Sequence, residues 1–182
     1  MEFLILGVLL WSGAHLFKRL APTARAKLGE RGKSPIAIVI VASVLMMVIG
    51  YRGNESDVLY VLPEFTRHIN NLLMLIAVAL LGLGNSKSRL RAKMRHPMLA
   101  GVVVWSVAHL LVNGDVASIV LFGGLLIWAL VEMVVINAKV SDYVPYTGGS
   151  VAGDVRLALI TLVVFAVIGV LHMYIGPSPF PM

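Results

Sequence analysis

Six long apolar segments, separated by short polar stretches, organise the whole chain. They cover residues 3–17, 36–51, 69–84, 97–112, 116–136 and 157–176, none of which contains lysine or arginine. Apolar residues follow one another continuously in each segment, which favours helices over the alternating pattern of a membrane barrel strand. A helix of about 16 residues is about 24 Å long, slightly less than the roughly 30 Å apolar core of a bilayer. We therefore predict an all-α protein, a single membrane domain over residues 1–182 with about six transmembrane helices joined by short loops.

Lysine and arginine concentrate in alternate loops. The first, third and fifth loops hold Lys18, Arg19, Arg25, Lys27, Arg31 and Lys33, then Lys87, Arg89, Arg91, Lys93 and Arg95, and finally Lys139 and Arg156. The even loops hold Arg52 and Arg67 together with Glu55, Asp57 and Glu64. Because basic loops stay on the cytoplasmic side, both termini are predicted to face outward.

Composition agrees with a membrane protein and narrows the chemistry. Only 13% of the residues are charged and the mean hydropathy is +0.91, whereas an ordinary soluble domain has about 25% charged residues. The net charge of +6 follows from the basic loops, which we expect to contact anionic lipid, and no nucleic-acid partner is expected. The chain has no cysteine, which excludes disulfides, thiolate catalysis and cysteine-bound metal.

The first apolar segment is interpreted as a retained helix. A secretory signal peptide carries basic residues before its apolar run and small residues after it. Here Glu2 precedes the run, and Lys18 and Arg19 follow it.

Two nearly identical hexapeptides place histidines inside apolar segments. They are WSGAHL at residues 11–16 and WSVAHL at residues 105–110. The spacing puts Trp11 and His15, and likewise Trp105 and His109, on one helix face one turn apart. Each histidine could hydrogen-bond to a neighbouring helix, or its neutral imidazole could bind a metal such as haem iron.

Three further histidines lie at segment ends. His172 is near the outer end of the sixth segment, His68 begins the third, and His96 begins the fourth directly before Pro97. Proline is favoured at the first position of a helix. For His68 and His96, contacts at the membrane interface are the simpler interpretation.

Other polar residues at membrane depth are also candidates, since burying them is costly. Glu132 is the one acidic residue inside a span and needs a partner, for which His15, His96 and Arg95 are candidates. Alternatively, it relays protons or orients a ligating histidine. In the VNGD turn, Asp115 is expected to cap the fifth helix, and Asn113 and Asp115 could also line the mouth of a site.

The motifs WSVAHLLVNGDVAS, RHPMLAG and HMYIGPSPFP together resemble the NnrU family of bacterial membrane proteins over essentially the whole chain. That family is associated with nitrite and nitric oxide metabolism. It is similar to zeta-carotene isomerase, which carries haem b and isomerises a central cis double bond of a carotenoid. The resemblance implies an inner-membrane protein that binds haem b, either as a redox-gated isomerase of an apolar polyene or as a protein of nitric oxide metabolism.

The resemblance also implies residue roles. His15 and His109 are the implied axial ligands of iron, and the residues expected to bind the cofactor are Trp11, Trp105, Arg95 and His96. The residues expected to support the ligands are His68, Glu132, Asn113 and Asp115.

The predicted topology conflicts with that ligand pair. The first and fourth helices run in opposite directions, so His15 and His109 could differ in depth by roughly 10 Å. Depth instead favours His109 with His172 or His68. One of the three histidines His15, His109 and His172 is therefore expected not to bind iron.

Two other classes of function remain open. The RHPMLAG motif is similar to one that helps certain membrane methyltransferases bind S-adenosylmethionine, although Glu132 is followed by Met133 where those enzymes add a second glutamate. The chain could also be a non-enzymatic assembly factor or regulator of a respiratory complex, with histidines that only pack helices. The sequence does not determine the oligomeric state.

Overall fold

The structure, a computed structural model, describes residues 1–29, 32–176 and 178–180. Its helices are α1 (Glu2–Leu20), α2 (Pro22–Lys27), α3 (Lys33–Arg52), α4 (Thr66–Leu83), α5 (Pro97–Leu110), α6 (Val116–Lys139) and α7 (Val151–Ile175). A 3-10 turn at Arg89–Lys93 precedes α5, and α6 contains a π-helical turn at Ile119–Gly123. Five of these helices are long and apolar enough to cross a membrane, and α5 is a shorter apolar helix. The predicted all-α class with about six apolar helices is confirmed.

Most of the long helices extend beyond the predicted apolar segments into polar sequence. The largest difference is in α7, which begins at Val151 instead of residue 157. The side chain of Ser150 accepts a hydrogen bond from the amide of Gly153 (3.0 Å), and Asp154 lies in the first turn. A hydroxyl cap and an acidic residue both stabilise a helix N-terminus, so the helix can start within polar sequence.

The first basic loop contains the short helix α2, which the hydrophobic pattern did not predict. Pro22 occupies its first turn, where a missing N–H costs nothing. Arg31, one of the predicted topology signals, lies outside the described residues.

The chain forms two compact units, each built from two separate stretches of sequence. The first unit comprises residues 1–60 and 113–141, and the second comprises residues 61–112 and 142–182. The first unit therefore holds α1, α2, α3 and α6, and the second holds α4, α5 and α7.

In the first unit, α1 packs antiparallel against α3 through glycines. A methyl group on Gly7 would lie 2.8 Å from both the amide nitrogen of Met47 and the carbonyl oxygen of Ser43. A methyl group on Gly50 would collide with the backbone of Leu4. Small residues at such positions allow helix backbones to approach closely, which is a common way of packing helices in lipid.

In the second unit, α4 packs against both α5 and α7. A methyl group on Gly101 of α5 would lie 3.0 Å from the amide nitrogen of Leu81 and 3.1 Å from the carbonyl oxygen of Ala77. The amide of Asn71 in α4 donates to the carbonyl of Pro179 (2.9 Å), beyond the end of α7.

The outward faces of the helices are strongly apolar. In the most apolar stretch of 18 residues in α7, only 11% of the window is buried. The side chains of Leu159 and Val163 are 59% and 63% exposed. A continuous apolar surface of this kind is costly in water and suits contact with lipid.

Candidate functional site

In the first unit, His15 lies against two tryptophan rings. The centroid of its imidazole is 4.1 Å from that of Trp11, one turn earlier in α1, and 5.0 Å from that of Trp128 in α6. The two indoles meet edge to face at 5.4 Å. Trp11 and His15 therefore lie on one face of α1, as predicted. Trp128 completes a cluster of three rings, and its membership was not predicted from the sequence.

Several polar atoms in and beside this cluster are buried without a partner. Among the described residues, nothing hydrogen-bonds to the indole nitrogens of Trp11 and Trp128 or to Oε2 of Glu132. Glu132 lies one turn after Trp128 and is only 7% exposed. The ion pair expected for this carboxyl group is thus not formed through Oε2. The two indole N–H groups and this carboxyl oxygen could therefore form hydrogen bonds to a bound group.

The π-helical turn lies in α6 just before Trp128. Its member Phe122 packs against the ring of Tyr51 in α3 at 6.0 Å. A π turn accommodates one more residue than an α turn, so it rotates the following part of the helix. The orientation of Trp128 and Glu132 therefore depends on a local feature that hydrophobic periodicity did not reveal.

In the second unit, His109 repeats the arrangement seen at His15. Its ring centroid is 4.9 Å from that of Trp105, one turn earlier in α5. His172 of α7 belongs to the same unit. The second unit thus contains two of the three predicted iron ligands.

One hydrogen bond recurs at all three of these histidines. Nδ1 of His15 bonds the carbonyl of Trp11 (2.8 Å), Nδ1 of His109 that of Trp105 (3.0 Å), and Nδ1 of His172 that of Ile168 (3.2 Å). A carbonyl only accepts, so Nδ1 is the donor and the lone pair of the neutral ring lies on Nε2. Histidines that bind metals usually have their second ring nitrogen fixed in this way.

Protein side chains alone do not build a metal site in the part of the chain that is described. No group of three or more His, Asp or Glu side chains comes together there. A structural or catalytic zinc ion needs three or four protein ligands. Haem iron needs only one or two, since the porphyrin supplies the others.

The last three residues of the VNGD turn, Asn113, Gly114 and Asp115, are a polar part of the first unit. Asp115 caps α6, as predicted, by accepting bonds from the amide (2.9 Å) and hydroxyl (2.6 Å) of Ser118, and it accepts a third from Ser56 (3.0 Å). Burial raises the pKa of Asp115, but these hydrogen bonds outweigh that effect and hold it below its usual value. The backbone carbonyl of Asn113 accepts a bond from Tyr60 (3.3 Å). Asp115 thus has a structural role at the end of a helix.

Arg95 and His96 lie in a cleft of the second unit. The cleft has a volume of about 420 Å³ and is lined by Gly84, Arg91, Met94, Arg95, His96, Pro97, Met98, Leu99, Tyr143, Val144 and Tyr146. The RHPML part of the sequence motif therefore lies along one wall. His96 directly precedes α5, with Pro97 at the first helical position as predicted.

Sequence reasoning missed two buried polar residues in the second unit. Asn70 lies two residues after His68, and Ser106 lies inside the WSVAHL motif. Among the described residues, Oδ1 of Asn70 and Oγ of Ser106 have no hydrogen-bonding partner. The signal was present, since both are polar residues within apolar segments, whereas His68 itself is exposed in the first turn of α4.

Comparison with known proteins agrees with the pattern of motifs. The sequence model of a family described as NnrU protein matches residues 3–179, nearly the whole chain. No curated protein and no solved structure matches the chain.

Proposed function

Because the chain belongs to the NnrU family, we propose that it is an integral membrane protein that binds haem b through histidines of its apolar helices. We place it in the inner membrane of a bacterium. The observation that carries the proposal is the fixed tautomer of His15, His109 and His172, whose Nδ1 atoms each donate to the carbonyl four residues earlier. In this tautomer the lone pair of the ring is on Nε2, which is the atom that would bind an iron ion.

The surroundings of these imidazoles support haem over a bare metal ion. Trp11 and Trp128 border His15, and Trp105 borders His109. Flat aromatic side chains suit an apolar macrocycle, and helix bundles commonly hold haem between facing helices. When bound, haem b would supply a redox-active iron, and the histidines of the apolar helices would hold it away from water.

His109 is common to all the candidate ligand pairs, in which its partner is His15, His172 or His68, and of these three His68 is exposed. The family resemblance pairs it with His15, and the presence of His172 in the same unit is compatible with pairing to that residue. We therefore expect His109 to be essential in every case. Which histidine is the second iron ligand stays a prediction, and the absorption spectra of the single variants test it.

The decisive experiment is the absorption spectrum of the purified protein after expression with haem supplied. We expect a Soret band that shifts on reduction with dithionite, together with sharp α and β bands typical of a low-spin iron with two strong ligands. His109→Ala should lose this spectrum, and only one of His15→Ala and His172→Ala should do so. His68→Ala is the matched control, because that side chain is exposed and its loss should leave the spectrum unchanged.

A colourless protein would contradict the proposal, and so would a full spectrum in all three single variants. In either event the repeated tryptophan–histidine pairs would serve only to pack helices.

An apolar groove in the first unit supports an apolar polyene as the substrate. The groove has a volume of about 390 Å³ and is lined by Leu9, Leu10, Gly13, Ala14, Phe17, Leu28, Pro35, Ile36 and Val39. A chain of conjugated double bonds needs such an apolar lining and no charged partner. Incubating the haem-loaded protein with a cis-polyene, oxidised and then reduced, should give the trans isomer on chromatography only in the reduced sample. Absence of conversion together with rapid nitric oxide binding would instead favour a role in nitric oxide metabolism.

A further inference from the structure

We propose that residues 178–180, which we call the strap, close over the turn of α7 that carries the imidazole of His172 and control access to that imidazole. The strap belongs to the HMYIGPSPFP motif, of which the proposed binding of haem uses only His172. The inference deepens the proposed function, on which its chemical purpose rests, because His172 is one of the proposed iron ligands.

The chain reverses its direction directly after α7. The helix ends at Ile175, and Gly176 is extended (φ −160°, ψ −166°) with its N–H bonded to the carbonyl of His172 (2.9 Å). The ring of Phe180 then lies against Gly169, where an added methyl group would be 3.0 Å from Cζ of that ring. Gly169 is about 9 Å back along the helix axis from Ile175. The strap therefore folds back onto the helix that it follows.

A second contact joins the strap to α4. Nδ2 of Asn71 donates to the carbonyl of Pro179 (2.9 Å), and Oδ1 of Asn71 accepts a bond from Nδ2 of Asn70 (3.0 Å). The bond from Asn70 fixes the amide of Asn71 with its NH2 group toward the strap. Within the strap, the hydroxyl of Ser178 donates to the carbonyl of Phe180 (3.1 Å) and accepts from its amide (3.3 Å). The strap thus has an ordered turn of its own and bridges α4 and α7.

The imidazole of His172 lies over the turn of α7 that the strap contacts. Side chains of an α-helix lean toward its N-terminus, and Nδ1 of His172 donates to the carbonyl of Ile168 (3.2 Å). Ile168 directly precedes Gly169, on which Phe180 packs. His172 is accordingly only partly exposed, whereas Tyr174, nearer the end of the helix, is 84% exposed.

The strap can open without disturbing the helices beneath it. The bond from Asn71 and the packing of Phe180 on Gly169 hold it in place, and Phe180 is still 39% exposed. Segments with little buried surface open locally at a small free-energy cost, well below that of global unfolding. Pro179 restricts the conformations of the opened chain, so that closing again costs little entropy. A segment of this kind is mostly closed and opens transiently, as a gate does.

The test is the rate at which diethyl pyrocarbonate acylates each histidine of the full chain in detergent, before haem is supplied, followed by mass spectrometry of peptides. The reagent attacks the unprotonated imidazole nitrogen, which at His172 is Nε2. If opening is fast, the rate is proportional to the open fraction. Asn71→Ala removes one hydrogen bond and should raise the rate at His172 about fivefold. Phe180→Ala removes a packed ring and should raise it about tenfold.

Controls separate opening of the strap from a general loss of structure. His15, in the first unit, is the internal reference, and its rate should not change in either strap variant. Asn54→Ala removes a similar bond in the first unit, from Nδ2 to the carbonyl of Gly50 (3.0 Å). Phe3→Ala removes another partly exposed ring, since Phe3 is 60% exposed. Neither control should alter the rate at His172.

Equal rates at His172 in the wild type and in both strap variants would overturn the proposal. A parallel rise at His15 would also overturn it, because general loosening of the fold would then explain the result.

Repeating the measurement with haem supplied tests the proposed function separately. If His172 binds iron, its Nε2 is protected from the reagent in the wild type and in the strap variants alike. A colourless protein whose strap variants still expose His172 selectively would contradict the proposed function and support the strap.

Protection by haem together with equal rates before haem is supplied would do the reverse.

Discussion

Several polar side chains within the apolar helices hydrogen-bond to the backbone of their own helix. His15, His109 and His172 each donate to the carbonyl four residues earlier, and Ser12 donates to that of Val8 (2.7 Å). Such a bond satisfies one polar atom without a partner on another helix, which reduces the cost of burial in lipid. For a histidine, the same bond also fixes which nitrogen can bind a ligand.

Asp115 provides a prediction at this scale. Asp115→Ala removes a helix cap and leaves Ser56 and Ser118 without their acceptor, so we expect a loss of about 2 kcal/mol in the free energy of unfolding. Because the pKa of Asp115 is lowered in the fold, its contribution is fully present above the unfolded-state pKa. It should be lost as the pH falls through the lower folded-state pKa.

Thermal unfolding of the detergent-solubilised protein, followed by circular dichroism at pH 7 and in steps below pH 4, checks this. Asp57→Ala is the control, since Asp57 lies in the adjoining loop and its side chain is exposed. A difference between wild type and Asp115→Ala that stays constant down to pH 2 would rule out the ionised carboxylate as its source.

At the residue scale, the sequence predicted what is local in the chain. Trp11 and His15 are one helical turn apart, and Asp115 caps a helix that begins at the next residue. Both features depend only on neighbouring residues in the chain, and both predictions are confirmed. The contact of Trp128 with His15 and the stacking of Tyr143 on Arg95 join distant stretches. Such contacts depend on tertiary packing, about which periodicity carries no information.

At the scale of helices, the apolar segments predicted the elements well and their ends less well. The N-terminus of α7 shows the reason. Ser150 and Asp154 stabilise the first turn, so the helix can begin in polar sequence. The π-helical turn of α6 was not predictable, since its residues Ile119–Gly123 are as apolar as their neighbours. The packing partners of each helix also had to come from the structure.

The contact between α1 and α3 gives a prediction at this scale. Gly7→Ala places a methyl group against the backbone of α3, 2.8 Å from two of its atoms. Moving packed backbones apart should cost about 1–3 kcal/mol of stability.

Gly13→Ala in the same helix is the control, because no atom lies within 4 Å of the added methyl group. It should be neutral or up to about 1 kcal/mol stabilising, since alanine favours helix more than glycine does. Thermal unfolding of both variants in one detergent compares them directly. Equal effects of the two substitutions would mean that α1 and α3 do not pack closely at Gly7.

For the whole molecule, the distribution of charge predicts an orientation that the fold by itself does not determine. The chain has no cysteine, so single cysteines can report on each loop without further changes. Val61→Cys lies in an even loop and replaces a side chain that is 85% exposed. It should react with a membrane-impermeant maleimide in intact cells of the expression host, because that loop is predicted to face outward.

Ala92→Cys lies in the basic third loop and is the paired measurement. It should react only after the cells are lysed. Labelling of Ala92→Cys before lysis, with Val61→Cys protected, would show the reverse orientation and contradict the predicted outward termini.

The division of each unit between two stretches of chain has a consequence for biosynthesis. Translation delivers α1 and α3 first, then α4 and α5, and only afterwards α6, which carries Trp128 and Glu132 to the first unit. Until then, Trp11 and His15 lack their contact with Trp128. In the second unit, α4 likewise lacks its contact with α7 until α7 has been made. The surroundings of His15 are therefore complete only after α6 has been synthesised, and those of His109 only after α7, so a prosthetic group that needs either environment must be inserted after that helix has been made.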